Sequence, residues 1–415
     1  MKKITIIFAI LIISISVFYF NSSSKTSSKD EFIVGAKNIQ STPISKGTIF
    51  ISTEGNGTNC TEIEPCALNV LDMYSKNRVK IKAGDVLFFR GGTYKYAMNG
   101  VKRVYLPGGT KDKPIIYESY PNEIAIFDGS LLSREDNNKK EWREGRLELR
   151  ENYTILRKIE IKNMPRYGLR VYGNYNIVEG CSIHGNGLSG IQIHNYKDNF
   201  SQKDTGGSHN TIRNNIIYNN SDVGLLHNIY NDGDNADGIT IHSGIKNIIA
   251  YNTIYDNSDD GIDTWKSMNT IVEYNFTYNQ GKGKKGNGNG IKLGGAEKKS
   301  PLGSNNIARY NISHSNRNSG ITTNTGKNVL IEYNSVYNNK KFGYTLENDT
   351  RLNNNVSFKN GDKHVGWDNG SEQTNNSWQK EEEIEFISLD PNSLEFLKPK
   401  KNIFKDMGVY AKNKN

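Results

Sequence analysis

The 415-residue sequence predicts an all-β fold, a solenoid of short strands known as a parallel β-helix. Similar segments recur with a basic period of about 22 residues, apolar and polar residues alternate within each repeat, and asparagine recurs in one column. A strand-and-turn unit of this length cannot bury its apolar face alone. Stacked copies that share one continuous core are therefore the expected structure.

The recurring asparagine marks the repeat. Similar segments end at positions 159, 181, 215, 252, 275, 311, 334 and 355, and the last six of these positions, from Asn215 to Asn355, are asparagine. Three of the intervals are longer than the basic period and contain insertions. Identical amides on successive coils can hydrogen-bond up the stack, so we interpret this column as scaffold and not as a ligand set.

A second strand in each repeat opens with a glycine. The glycines are Gly168, Gly190, Gly238, Gly261, Gly290, Gly320 and Gly343. The first and third positions after the glycine are apolar or β-branched, as in Ile191 and Ile193, and this alternation of period two is typical of a strand. The middle position points outward and forms a column of its own: Arg170, Gln192, Thr240, Asp263, Lys292, Thr322 and Thr345.

Composition and charge agree with a globular protein that meets an anionic partner. Apolar residues make up 35% of the chain and charged residues 23%, which excludes a disordered chain. The formal charge is +9, and it falls to +7 without residues 1–24, which contain Lys2 and Lys3 and no acid. A basic balance suits an acidic polysaccharide, a wall polymer or a nucleic acid, although solubility explains it equally well. No nucleic-acid-binding motif is recognised, so nucleic acid is not an expected partner.

The chain divides into five predicted segments. Ile4 to Phe20 is apolar, follows two lysines and precedes a serine-rich stretch, so residues 1–24 are predicted to be a signal peptide, or else an uncleaved anchor. Residues 25–48 are a linker, 49–150 an N-terminal cap with the first coils, 151–378 the β-helix with the active site, and 379–415 a C-terminal cap. We expect a secreted or surface-anchored protein. A capped β-helix needs no partner, so a monomer is expected.

The cysteines fit an oxidising compartment. Cys60 and Cys66 are close enough in sequence to form a disulfide, although the sequence leaves two free thiols equally open. Cys181 occupies the repeated anchor column, where we expect a buried, inert thiol.

Carboxylates gather on the predicted register. Asp237 and Asp260 directly precede the strand glycine in successive coils, and Asp259 adjoins Asp260. Asp263 and Lys292 are neighbours in the outward column, about 4.8 Å apart. These five residues should form one exterior patch across three coils. Because four carboxylates repel one another, and because oxygen-only ligands favour a hard cation, we expect Ca²⁺ there.

These segments resemble the motif series of the polysaccharide lyase family 9 pectate lyases. The motifs are Asn235-Ala236-Asp237-Gly238, Asn257-Ser258-Asp259-Asp260-Gly261-Ile262-Asp263 and Gly288-Asn289-Gly290-Ile291-Lys292-Leu293-Gly294-Gly295. The resemblance implies a right-handed parallel β-helix, Ca²⁺ bound by Asp237, Asp259, Asp260 and Asp263, and Lys292 as a base. Ile262 departs from the family pattern, which often has an aromatic residue there.

The residues fit β-elimination on a uronate. A base removes the C5 proton, which becomes acidic when a cation neutralises the adjacent carboxylate, and Lys292 must be neutral to act as that base. The expected function is a secreted, Ca²⁺-dependent lyase of pectate or polygalacturonate, with an alkaline optimum. Near the patch we also expect four residues that contact sugar: Lys266, Asn287, Asn289 and Asn324.

Two alternatives remain open from the sequence. One keeps the mechanism and changes the substrate to rhamnogalacturonan or another uronate polymer. The other is a non-catalytic β-helix, such as an adhesin or glycan-binding protein, whose aspartates hold a structural Ca²⁺. Lys292 argues against the second alternative, because a structural calcium site needs no cationic side chain beside it. The seven histidines show no zinc-ligand spacing.

Overall fold

A computed structural model describes residues 48–134, 145–195, 206–225, 230–295, 302–347, 349–368 and 370–411. The predicted signal segment, residues 1–24, and nearly all of the predicted linker, residues 25–48, lie outside this part of the chain. Within the described ranges, no helix is long and apolar enough to cross a membrane.

Three parallel sheets run along the coil, and from β2 onward each contains every third strand of the chain. The first sheet contains β1 (Ile49–Ile51), β2 (Val86–Phe89), β5 (Ile115–Ser119), β8 (Thr154–Arg157), β11 (Ile177–Glu179), β14 (Thr211–Arg213), β17 (Ile248–Ala250), β20 (Ile271–Glu273), β23 (Ile307–Arg309), β26 (Leu330–Glu332), β29 (Arg351–Asn353) and β32 (Glu372–Thr374).

The second sheet contains β4 (Arg103–Leu106), β7 (Arg146–Leu149), β10 (Leu169–Val171), β13 (Ile191–Ile193), β16 (Ile239–Ile241), β19 (Ile262–Asp263), β22 (Ile291–Lys292), β25 (Ile321–Thr322), β28 (Phe342–Thr345) and β31 (Lys363–Gly366). The third contains β3 (Gly92–Lys95), β6 (Ala125–Asp128), β9 (Ile159–Lys162), β12 (Ser182–His184), β15 (Ile216–Tyr218), β18 (Thr253–Tyr255), β21 (Phe276–Tyr278), β24 (Ile312–His314), β27 (Ser335–Tyr337) and β30 (Val356–Phe358). The described chain also forms 3₁₀ turns at Leu68–Leu71, Met98–Gly100, Ser377–Gln379, Asn402–Phe404 and Gly408–Tyr410. The predicted parallel β-helix is confirmed.

The core lies inside the coil, between the three sheets. The residues predicted to point inward, such as Ile191, Ile239 and Ile291, are completely buried and stack on one another through the parallel register. Burying an isoleucine side chain contributes about 1.5–3 kcal/mol, so these stacks supply much of the stability of the coil. The polar residues between them are left on the outer surface of the sheet.

The asparagine column forms a buried hydrogen-bonded ladder. In each step the side-chain amide of one asparagine donates to the Oδ1 of the next, as between Asn252 and Asn275 at 2.9 Å and between Asn275 and Asn311 at 3.0 Å. The same Oδ1 atoms accept a backbone N–H from the coil below, and the ladder continues beyond the predicted column to Asn376. The asparagines are therefore scaffold, as predicted.

We predict that Asn275→Ala lowers the free energy of unfolding by about 2–4 kcal/mol, because it leaves several buried donors and acceptors without partners. Among them is the backbone N–H of Asn252, which donates to Asn275 Oδ1 at 3.0 Å. Denaturant titration measures this loss. Asn77→Ala removes an exposed amide and should change stability by less than about 0.5 kcal/mol. Equal effects of the two substitutions would contradict a ladder that stabilises the coil.

Both cysteine expectations can be compared with the structure. Cys60 and Cys66 form a disulfide near the first strand of the first sheet. The sequence had left a disulfide and two free thiols equally open. Cys181 is buried, and burial raises the pKa of its thiol to about 12. The predicted burial of this thiol is confirmed.

The segment after Gln379 packs against the third sheet. Residues 379–415 are the predicted C-terminal cap, and their described part, up to Ala411, contacts outward-facing residues of this sheet. Phe396 contacts the rings of Phe276 and Tyr337, which face outward from the third sheet, and Gly408 N donates to Asn354 O at 2.8 Å. Outward-facing apolar residues on these coils need a cover, and the tail supplies it.

Candidate active site

The outer surface of the second sheet has a row of polar side chains that we call the outward row. Parallel pairing places its members side by side on successive strands: Glu148, Arg170, Gln192, Thr240, Asp263, Lys292, Thr322 and Thr345. The predicted pairing of Asp263 with Lys292 is confirmed. The two side chains that carry opposite charges therefore project from neighbouring strands in the middle of the sheet.

Three carboxylates meet at this point. One carboxylate oxygen from each of Asp237, Asp260 and Asp263 lies within 4.8 Å of the other two. Asp237 and Asp260 precede β16 and β19, so they reach the outward row from its edge. Asp237 Oδ1 accepts the backbone N–H of Asp260 at 3.1 Å, which fixes the Asp237 side chain against the backbone of the next coil. The other Asp237 oxygen accepts the hydroxyl of Ser189 at 3.4 Å.

Lys292 lies beside the carboxylates. Its Nζ is 3.0 Å from Asp263 Oδ2 and 3.4 Å from Asp260 Oδ2, and its side chain is 13% exposed. Burial lowers the pKa of this ammonium, but the nearby charges of Asp263, Asp260, Asp259 and Asp237 outweigh burial and leave the pKa well above its ordinary value. With no cation bound, Lys292 is therefore protonated.

The raised pKa values of the carboxylates favour the binding of protons or of a cation. Burial and the charges of neighbouring aspartates raise the pKa of Asp237 and of Asp259 well above the ordinary value. Burial also raises the pKa of Asp263 to about 6, although the Lys292 charge opposes it. Each of these groups would be more stable if further positive charge were present.

The donor set fits a divalent cation. Among the described residues, the buried oxygens Asp260 Oδ2 and Asp263 Oδ1 have no hydrogen-bond partner, although Asp260 Oδ2 forms the 3.4 Å ion pair with Lys292, and both residues belong to the three-carboxylate group. Carboxylate oxygens without nitrogen or sulfur ligands are the donors that a hard cation such as Ca²⁺ prefers. The residues present therefore fit Ca²⁺.

The expected exterior patch is instead a buried cluster. Asp237, Asp259, Asp260 and Asp263 are each 8% exposed or less. The two long turns that precede β16 and β22 close over the site and touch at Gly233 and Gly283, where a Cβ on Gly233 would lie 2.3 Å from Gly283 Cα. The repeat spacing reveals that these turns are long, but it does not reveal where they fold.

Asp259 takes a different position from its three neighbours. It is not part of the group whose oxygens lie within 4.8 Å of one another. Its Oδ1 accepts the backbone N–H of Asn287 at 2.5 Å, and the side chain is buried. In this arrangement Asp259 anchors the turn before β22 and adds negative charge at short range.

The four residues that were expected to contact sugar lie in different parts of the site. Asn289 is buried and donates to Asp260 Oδ1 through its backbone N–H at 2.6 Å and its side chain at 3.0 Å, so it orients a carboxylate. Asn287 is exposed above the site. Lys266 Nζ packs 4.3 Å from the Trp265 ring centroid, and Asn324 is half-buried two residues beyond Thr322 of the outward row.

A row of rings beside the outward row was not anticipated from the sequence. Tyr172, His194, His242 and Trp265 each lie two residues after a member of the outward row, and consecutive ring centroids are 6.4, 5.7 and 5.5 Å apart. Burial, together with nearby positive charges, lowers the pKa of His242 to about 3, so this ring is neutral. The sequence signal that could have revealed this row is the fixed offset of two residues from the outward row. We call these four residues the aromatic row.

Comparison with known proteins identifies the family. The model of the Pel9A-like, right-handed β-helix region matches residues 49–360. The chain belongs to this family, polysaccharide lyase family 9. Pectate lyase L of Paenibacillus polymyxa is 23% identical over 384 residues, which cover 85% of this chain and 79% of that protein. Pectate lyase PEL9 of Emericella nidulans is 24% identical over 344 residues, with coverages of 74% and 79%.

Solved structures share the same fold. The crystal structure of pectate lyase Pel9A has a TM-score of 0.66 and 22% identity, and covers 83% of this chain and 84% of that one. A rhamnogalacturonan lyase has a TM-score of 0.65 and 21% identity, and covers 88% of this chain and 100% of that one. This family 9 member is thus a right-handed parallel β-helix and a pectate lyase-like polysaccharide lyase, as its sequence predicted.

Proposed function

We propose that this protein is a Ca²⁺-dependent lyase that cleaves polygalacturonate by β-elimination, with Lys292 as the base. The observation that carries the proposal is the cluster itself: three buried carboxylates within 4.8 Å of one another, two of whose oxygens lack hydrogen-bond partners, with an amine 3.0 Å from Asp263. The names of the family relatives, which are pectate lyases, support the same chemistry.

Asp237, Asp260 and Asp263 would hold the cation, with Asp259 adding charge nearby. When bound, Ca²⁺ supplies positive charge that neutralises a uronate carboxylate and so acidifies the adjacent C5–H. Asn289 and the backbone N–H of Asp260 keep the carboxylates oriented through their hydrogen bonds. Because the cluster is buried, it retains this arrangement while water is largely excluded.

Lys292 would remove the C5 proton of the uronate. The C4–O glycosidic bond then breaks, a C4–C5 double bond forms, and the departing sugar oxygen takes up a proton. A base must be neutral, and the carboxylates are what keep Lys292 protonated when the site holds no cation. Neutralising the carboxylates removes that cause, and burial then favours the neutral amine.

We also propose export of the protein. A polymeric wall substrate lies outside the cell, and the apolar stretch from Ile4 to Phe20 behind two lysines suits a secretory signal or an anchor. A capped solenoid can act as a monomer, which we propose for its solution state.

An absorbance assay tests the proposed function. Elimination creates unsaturated uronate ends, so absorbance in the ultraviolet should rise when the purified protein meets polygalacturonate with Ca²⁺. The rise should stop with chelator and resume when Ca²⁺ is restored. Activity confined to rhamnogalacturonan or another uronate polymer would keep the mechanism and change the substrate. A lack of activity on all of these polymers would contradict a lyase.

We predict an alkaline pH optimum, above about pH 8, because only the neutral form of Lys292 can accept a proton. Ca²⁺ affinity should also weaken as pH drops through about 6, the pKa of Asp263 in the cation-free cluster, since protonation of this carboxylate opposes cation binding. Initial rates across a pH series at saturating Ca²⁺ check the optimum, and the Ca²⁺ concentration that gives the half-maximal rate at each pH checks the affinity. A profile that peaks below about pH 6 would contradict a lysine base.

A further inference from the structure

Arginines crowd the outward row upstream of the acidic cluster. Arg146 and Arg150 lie on or next to β7, Arg170 lies on β10, and Arg166 precedes β10. A single buried carboxylate, Glu148, contacts Arg146 at 3.4 Å and Arg150 at 2.6 Å. We call Arg146, Arg150, Arg166 and Arg170 the arginine cluster. Its positive charge exceeds the charge of the glutamate that it surrounds.

Arg170 is oriented by neutral partners. Its Nη1 donates to the hydroxyl of Tyr172 at 2.9 Å, and its guanidinium lies 4.5 Å from the Tyr167 ring centroid. Among the described residues, the buried Nε atoms of Arg170 and Arg146 have no hydrogen-bond partner. A guanidinium held in place by aromatic groups retains donors that a planar anion can accept.

The charges in this cluster oppose one another. Burial and the charge of Arg170 together lower the pKa of Arg166 to about 10. Burial and the charge of Arg170 also lower the pKa of Arg146. An anion placed between these guanidinium groups would relieve that repulsion. Arginine clusters that surround carboxylates or phosphates in proteins work in this way.

The outward row connects the arginine cluster to the acidic cluster. Arg170 is separated from Asp263 by Gln192 and Thr240, which is three inter-strand spacings or about 14 Å. Gln192 and Thr240 are 2% and 1% exposed, and Gln192 Oε1 and Thr240 Oγ1 have no hydrogen-bond partner in the described structure. The aromatic row runs beside them over the same distance.

We propose that the arginine cluster is an anionic subsite that binds the carboxylate of a uronate unit several sugars away from the bond that is cleaved. The proposal rests on the proposed function for its ligand, a uronate polymer. A chain laid along the outward row would place one carboxylate at the acidic cluster and another near Arg170. The intervening sugars would lie against the aromatic row, where their apolar faces can stack on rings.

Binding of defined oligosaccharides tests this subsite. Titration calorimetry would use the non-cleaving background Lys292→Ala with CaCl₂, and hexagalacturonate or digalacturonate as the probe. Adding Arg170→Gln should weaken hexagalacturonate binding about tenfold, the effect of one lost charge-assisted hydrogen bond. Binding of digalacturonate, whose two carboxylates are too close together to span both clusters, should not change. Arg309→Gln, which removes an arginine paired with Glu273 on the first sheet, is the matched control and should change neither.

A second variant separates charge from packing. Arg170→Lys keeps the positive charge and loses the planar donors and the stacking on Tyr167, so it should weaken hexagalacturonate binding less than Arg170→Gln does. Equal losses in the glutamine and lysine variants, or undiminished hexagalacturonate binding by Arg170→Gln, would overturn the subsite. So would a failure of the background protein to bind hexagalacturonate. Thermal unfolding confirms that each variant is folded.

The results also separate the subsite from the proposed function. If the wild-type protein cleaves polygalacturonate but the arginine variants bind as well as their background, the subsite is wrong and the function stands. If the wild-type protein does not cleave but hexagalacturonate affinity depends on Arg170, the subsite stands and the lyase function fails.

Discussion

Lys292→Ala should reduce kcat on polygalacturonate by about 10²–10⁴-fold, the range expected when a general base is removed. Its amine lies 3.0 Å from Asp263 and projects from the middle of the outward row, beside the carboxylates that would hold the cation. KM should change much less, because the carboxylates that engage the substrate through the cation are intact. Steady-state kinetics from the absorbance assay measure both parameters.

Matched variants make the lysine result specific. Lys292→Met keeps most of the side-chain length without the amine and should be as inactive as the alanine variant. Small primary amines added to Lys292→Ala should restore part of the rate. Lys282→Ala removes an exposed lysine paired with Asp256 and should leave kcat within about twofold of wild type. A Lys292→Ala enzyme with more than a tenth of the wild-type rate would remove this residue from the base role.

Asp237→Asn should stabilise the protein in the presence of chelator and destabilise it relative to wild type in the presence of Ca²⁺. The carboxylate is buried beside Asp263 and Asp260, and its pKa is raised well above the ordinary value. In the cation-free protein, replacing it with a neutral amide should raise the free energy of unfolding at pH 8 by about 1–3 kcal/mol. With Ca²⁺ present, wild type should gain stability by mass action and the variant should gain little.

The pH dependence of this effect has a definite sign. A carboxyl whose pKa is higher in the folded than in the unfolded protein binds more protons when folded, so the stability it contributes is lost as pH rises. For Asp263 this loss falls between the ordinary aspartate pKa of about 4 and the folded value of about 6. For Asp237 and Asp259 it extends higher. Chelated wild type should therefore become less stable as pH rises through this range, and Asp237→Asn should lose less.

A neighbouring aspartate provides the control. Asp222 is buried but lies outside the three-carboxylate group, and accepts hydrogen bonds from Asn231 N at 2.7 Å and Ser258 Oγ at 3.2 Å. Asp222→Asn should keep the full Ca²⁺-dependent rise in melting temperature. If Asp237→Asn also keeps that rise, or melts below wild type in chelator, the carboxylate cluster is not the cation site.

The coil register could be predicted because it requires one residue type at one position of each coil. The buried amide ladder requires asparagine once per coil, and this column runs visibly from Asn215 to Asn355. The strands of the third sheet have a weaker sequence pattern. Its strands are mostly three residues long and follow the first sheet after a two-residue corner, in which Asn214 or Tyr251 has a positive φ and the ladder asparagine comes next. Such short strands cannot be separated from their neighbours by apolar alternation alone.

The sequence predicted which site residues are neighbours in the sheet, but it did not predict how the long turns cover them. Pairing of Asp263 with Lys292 follows from the repeat alone, because parallel strands in register bring equivalent positions together. The burial of the aspartates depends on how the long turns fold over the sheet, and the spacing of Gly233 and Gly283 carries no information about their contact. The aromatic row escaped notice because tyrosine, histidine and tryptophan share no single residue type.

The most direct test of the central claim is the mass of the products formed from polygalacturonate in ¹⁸O-labelled water. Elimination breaks the chain without adding water, so the account predicts unsaturated ends that contain no ¹⁸O and that disappear when chelator removes the cation. Saturated products that incorporate ¹⁸O would show hydrolysis. Hydrolysis, or cleavage that continues unchanged in chelator, would contradict a cation-dependent elimination at Asp237, Asp260, Asp263 and Lys292.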